Sequence, residues 1–207
     1  SSSAASDVYK RQVRDKAKSY FKFLKRTANY DYLSSHKSID AAIEILKVGH
    51  EKGQEKVLNI EKRMKRVSFT HIKYTWNLYH LMTLVIFQKS KEIEEVINKI
   101  DEDGYNSLSS SELIREIYYS IAKTDIAIRN NKTQKGFKIL KAAKKRVAKA
   151  AKISPENYEQ ISALICALFG ELKMKNDEVV VNYKKAMEAA TKDGFIHNTA
   201  LFSERLG

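Results

Sequence analysis

The chain has 207 residues, 43% of them hydrophobic, which is enough for a substantial core and excludes wholesale disorder. One proline and seven glycines are too few for a turn-rich β fold, and a single cysteine, Cys166, excludes a disulfide framework or a cysteine-built zinc site. The formal charge of +13 implies either a polyanionic partner or a lysine-rich solvated surface, and the longest apolar stretch, Leu81 to Phe87, is too short to span a bilayer.

Residues 1–12 stand apart from the rest. The run Ser2-Ser-Ala-Ala-Ser-Asp-Val-Tyr-Lys-Arg-Gln12 resembles one translated reading frame of an adapter used in transposase-based sequencing libraries. The resemblance implies a non-native, disordered tail, with natural sequence from Val13. The end, Ser203-Glu-Arg-Leu-Gly207, lies within a helical pattern, so further domains are expected on either side.

An N-terminal helical segment is expected over residues 13–88. Ala17, Tyr20, Phe21 and Leu24 recur at helical spacing, and Tyr30 to Ser38 reads as a connection. A long helical pattern then carries Ile39, Ala42, Ile43, Leu46, Val57, Ile60 and Met64, with Gly49 and Gly53 placed to bend or split it. Phe69 to Gln88 is the most apolar element and is expected in the core.

Residues 89–128 read as a helix-loop-helix. Glu92 to Ile100 places Ile93, Val96, Ile97 and Ile100 on one stripe, a polar loop runs from Asp101 to Ser111, and Glu112 to Arg129 is helical. The loop Asp101-Glu-Asp-Gly-Tyr-Asn-Ser-Leu-Ser-Ser-Ser-Glu112 has the twelve-residue plan of a calcium site, because a hard cation needs several oxygens converging from one turn. Asp101 and Asp103 take the first and third positions, Ser107 offers its carbonyl, Ser109 a direct or water-mediated contact, and Glu112 both carboxylate oxygens. The segment resembles an EF-hand, with calcium as the cofactor it implies. Tyr105 stands where an oxygen ligand is usual and Asn106 where the sharp-turn glycine is usual. The alternative is an acidic loop whose Ser-Ser-Ser-Glu caps the next helix, with no cofactor.

Residues 129–207 read as helices of about 15–20 residues joined by short links, the pattern of stacked hairpins. Thr133 to Lys152 is helical, Ser154-Pro155-Glu156 is a stop and restart, Asn157 to Lys175 follows, Asn176 opens a helix that ends at Gly194, and Phe195 starts another. Ala167 and Gly170 on one helix, with Tyr183, Ala186 and Ala190 on the next, let two antiparallel helices approach closely. This stretch resembles a tetratricopeptide-type unit, although Val179 stands where alanine is usual and Gly170 where tyrosine is usual. The run from Asn182 to His197, with Ala200-Leu201, Glu204 and Ser154-Pro-Glu-Asn-Tyr158, resembles the helical-repeat region of large signalling ATPases, in which nucleotide-binding and kinase modules flank such repeats. Phe202-Ser203 departs from that pattern.

The expected fold is therefore all-α: antiparallel helical hairpins stacked as a tetratricopeptide-like α-solenoid, with an EF-hand-like insertion. The resemblance implies a non-catalytic scaffold that contacts protein partners or neighbouring domains, in the cytoplasm, and carries over no catalytic residue. His197, just after the helix-ending Gly194, is expected to pack or cap. No glycine-rich phosphate loop, G-x-S-x-G or metal-spaced histidine set occurs in the sequence. The alternative function lies in the helix over 133–152. Between Asp125 and Glu156 there are ten lysines and arginines and no acidic residue. Lys138, Lys141, Lys145, Lys149 and Lys152 form a stripe suited to nucleic acid or another anionic surface, or simply to solvent.

Overall fold

The computed structural model describes residues 30–103, 115–152 and 155–207, together with Ser19, Lys22, Phe23 and Arg26. Every regular element among the described residues is helical, and no helix among them is long and apolar enough to cross a membrane. The tail over residues 1–12 and most of the loop from Asp101 to Glu112 lie outside the described residues. The chain divides into two compact units, residues 1–79 and 80–207.

In the first unit, α1 (Tyr30–Val48) and α2 (His50–Met64) pack on one another. Gly49 separates them at φ +91°, so the long helical pattern is split there and Gly53 lies inside α2. A groove between the two helices is lined by Lys37, Ala41 and Glu44 on one side and by Lys56, Ile60 and Arg63 on the other. Ala42 and Ile45 of α1 and Val57, Ile60 and Met64 of α2 form the buried stripes. Tyr30 to Ser38 is helical, contrary to the expected connection. It holds no glycine or proline to stop a helix. The buried Ser38 hydroxyl is satisfied within the helix, donating to the Ser34 carbonyl at 2.8 Å.

The next helix, α3 (Thr70–Ile86), contains the boundary between the units and buries Ile72, Trp76, Leu78, Leu81 and Leu84 almost completely. In the second unit, α4 (Ser90–Asp103) turns Ile93, Val96, Ile97 and Ile100 inward. The described chain resumes as one π-helical turn, Arg115–Tyr119, which runs directly into α5 (Ser120–Arg129). Then follow α6 (Thr133–Ala150), α7 (Pro155–Lys173), α8 (Asn176–Lys192) and α9 (Ile196–Leu206). Each helix from α5 onward packs against the next, and α5 also meets α4 and α7. Pro155 is the first residue of α7, where a missing amide hydrogen costs nothing and a fixed φ favours the helix.

Four of the connections share one device. The residue just past the helix adopts the left-handed conformation: Gln88 after α3, Asn131 after α5, Met174 after α7 and Gly194 after α8, with φ of 54°, 54°, 56° and 77°. The following amide then reaches back five residues, from Lys89 to the Leu84 carbonyl, Lys132 to Ala127, Lys175 to Gly170 and Phe195 to Ala190, at 2.8–3.0 Å. These bonds satisfy carbonyls that a helix end leaves open. Three of the four positions carry a side chain, which explains how so many sharp turns coexist with so few glycines.

Candidate functional site

In the second unit α7 and α8 approach closely at Gly170. A Cβ built on Gly170 would lie 2.8 Å from Val179 Cγ2 and 3.2 Å from the Val179 amide nitrogen, so only glycine admits α8 at this distance. Gly170 and Val179 are the two positions that depart from the tetratricopeptide pattern, and they touch each other. The larger residue on one helix sits where the other helix has none. Ala167, Tyr183, Ala186 and Ala190 are each 0% exposed, so the small residues of both helices lie inside the packed unit.

At one end of this seam the Arg205 guanidinium binds three helices at once. It donates to both oxygens of Asp125 on α5 at 3.0 and 2.8 Å, to Glu171 on α7 at 2.8 Å, and to the Tyr183 hydroxyl on α8 at 2.8 Å. Tyr183 in turn donates to the other Glu171 oxygen at 2.7 Å. Burial raises the Tyr183 pKa, the Arg205 charge lowers it and the Glu171 charge raises it again, leaving it well above the usual phenol value. The hydroxyl therefore stays protonated and remains a donor. A planar fork of donors is what allows one side chain to serve two carboxylates and a phenol.

A second polar chain ties the π turn to α9 and α7. The Tyr118 hydroxyl donates to Asn198 Oδ1 at 3.3 Å, and Asn198 Nδ2 donates to Gln160 Oε1 at 2.8 Å, all within the core. Glu116, only 3% exposed, is held in the π turn by Arg115 and by a bidentate contact from Arg146 of α6 at 2.7 and 3.0 Å. Arg146, although its side chain stays 43% exposed, thus spends its guanidinium on Glu116.

Asp101 lies in the last turn of α4, which continues through Asp103, the third position of the calcium-loop plan. Both Asp101 carboxylate oxygens already accept: one from the Tyr119 hydroxyl, the other from Lys123, whose ammonium also sits 5.2 Å from the Tyr119 ring centre. Lys123 is buried, so this cation is held by Asp101 in a poorly solvated place. A calcium ion would have to compete with that ammonium for the first ligand of the plan. The side chain of Asp103, and Ser107, Ser109 and Glu112 entirely, lie outside the described residues. Among the described residues no group of three or more histidine, cysteine, aspartate or glutamate side chains is arranged to hold a metal ion.

On α6, Leu140, Ala143 and Val147 are buried, whereas Lys138, Lys141, Lys145 and Lys149 are exposed, as is Lys152 just past the helix end. Lys141 and Lys144 also border a shallow groove of about 420 Å³ with Cys166, Phe169, Lys173, Glu178 and Asn182. Phe137, the aromatic residue of α6, stacks on Phe169 at 6.0 Å between centroids and is half-buried. His197 is in the first turn of α9 with its ring edge-on to Phe195 at 6.1 Å, and partial burial lowers its pKa.

None of the arginine-centred contacts was anticipated from the sequence. Arg205 and Asp125 are 80 residues apart, Arg205 and Glu171 are 34 apart, and Arg146 and Glu116 are 30 apart. The one available signal was the single arginine of the last helix, and charged residues on helices are ordinarily solvated.

Comparison with protein-family models, with curated protein sequences and with solved structures finds no match for this chain.

Proposed function

We propose that this chain is a non-catalytic, tetratricopeptide-like helical-repeat scaffold that holds protein partners or neighbouring domains of a larger signalling ATPase or kinase. The observation that supports the reading most is the seam between α7 and α8. Its small residues and the Gly170–Val179 contact let consecutive helices nest, and Arg205 fastens α5, α7 and α8 to α9. A stack fixed in this way presents its outer faces as rigid surfaces for docking. Exposed apolar residues on or beside these helices, among them Ile128, Met174 and Val181, are the kind of surface a protein partner covers.

Calcium modulation, if part of this role, would require the ion to displace Lys123 and Tyr119 from Asp101. Sequencing the full-length transcript tests the scaffold. A single open reading frame that joins these helices to a nucleotide-binding or kinase module is the expected result. A frame encoding these helices with neither module would contradict the signalling-ATPase assignment.

A further inference from the structure

We propose that the solvent face of α6 is a docking surface for the phosphate backbone of duplex nucleic acid, independent of the protein-docking faces described above. Five lysines, Lys138, Lys141, Lys144, Lys145 and Lys149, are exposed along it, and none forms an ion pair with a carboxylate among the described residues. The reason lies in the neighbouring helices. Glu116 is taken by Arg115 and Arg146, Asp125 and Glu171 by Arg205, and Glu178, which borders the adjacent groove, by Lys175. These four carboxylates are thus engaged elsewhere, and none of them pairs with the α6 lysines.

Duplex fits this face better than other polyanions. The exposed positions of α6 are lysine, glutamine, alanine and the committed Arg146, with no large apolar side chain. Its apolar stripe, Leu140, Ala143 and Val147, is buried in the core and has nothing to insert into a membrane. Phe137 is stacked on Phe169, so no aromatic platform is offered to unpaired bases. An acidic protein would want a desolvated apolar or arginine anchor at the centre of its interface, and this face supplies none. What remains is a row of point charges about 16 Å long, from the eleven steps between Lys138 and Lys149 at about 1.5 Å rise each. Such a row matches the dense charge of a duplex and has no fork of donors to read base edges. The binding is therefore insensitive to sequence.

The test is fluorescence anisotropy with a short labelled DNA duplex and with its RNA counterpart. The expected salt dependence of log K has a slope of about −3 to −4, from about −0.9 for each of four neutralised phosphates. The quadruple variant K138E/K141E/K145E/K149E is expected to lose on the order of a hundredfold in affinity. A control with the same charge change on exposed lysines of α2 and just beyond it, K52E/K56E/K62E/K65E, is expected to keep nearly all of it. All the substituted lysines are exposed, and unchanged helical circular dichroism confirms that both variants are folded. Equal losses in the two variants would overturn the proposal, because net charge alone would then explain the binding. Tighter binding to single strands, to anionic phospholipid vesicles or to polyglutamate than to duplex would overturn it as well. Failure here would leave the scaffold reading untouched, since that reading is decided by the transcript.

Discussion

Replacing Tyr183 by alanine is expected to cost about 3–5 kcal/mol of stability, the range for removing a large buried ring. The ring is fully buried and lies 6.4 Å from the Phe202 ring, so its loss opens a cavity between α8 and α9. It also deprives Glu171 of one donor and Arg205 of one acceptor. Tyr183→Phe keeps the ring and removes only the hydroxyl, and should cost about 1–2 kcal/mol. The difference between the two variants, read from urea unfolding, separates packing from the network. Equal costs would mean that the hydroxyl contacts, and not the ring, hold the helices.

Arg205→Ala is the second large effect, at about 2–4 kcal/mol. Breaking a fully buried charge pair costs about 3–5 kcal/mol, but Asp125 is 45% exposed and water recovers part of the loss. Glu171, at 17% exposure, keeps its hydrogen bond from Tyr183 but no longer has its counter-charge. Arg205→Lys should restore less than half of the lost stability, because a single ammonium cannot bind Asp125, Glu171 and Tyr183 together. Full rescue by lysine would show that only charge at this position matters.

The helical class was legible because its causes are local. Few glycines and prolines, and apolar residues recurring at three and four, report helices wherever they occur. The stripe Ile93, Val96, Ile97 and Ile100, legible from spacing alone, is the buried face of α4. The misread stretch, Tyr30 to Ser38, fails the same test for an understandable reason. Its serines and tyrosines suggest a loop, yet buried Leu33 and Ser34 and the Ser38 back-bond belong to a helix. Turns closed by Gln88, Asn131 and Met174 were hidden because glycine is the usual signal for a left-handed residue and here it is missing.

Long-range pairings were illegible for a deeper reason. Which carboxylate Arg205 meets depends on the register of four helices against one another, and no spacing within one helix encodes that. The Gly170 and Val179 substitutions illustrate the point. Each, taken singly, reads as a departure from the expected repeat pattern, and only the structure shows that the two lie against each other.

That contact offers the most direct test of nested packing between α7 and α8. In the double-mutant cycle of Gly170→Ala and Val179→Ala, the first change alone gains about 1 kcal/mol of helix propensity but meets the Val179 methyl, an overpacking cost of about 1–3 kcal/mol. With Val179 already cut to alanine the methyl is gone but the 3.2 Å approach to the residue 179 amide nitrogen remains, so Gly170→Ala should cost clearly less than it does in the parent. Urea unfolding is expected to show this relief, with a coupling of about 1–3 kcal/mol between the two sites. Effects that simply add, to within about 0.5 kcal/mol, would contradict the nested packing on which the scaffold reading depends.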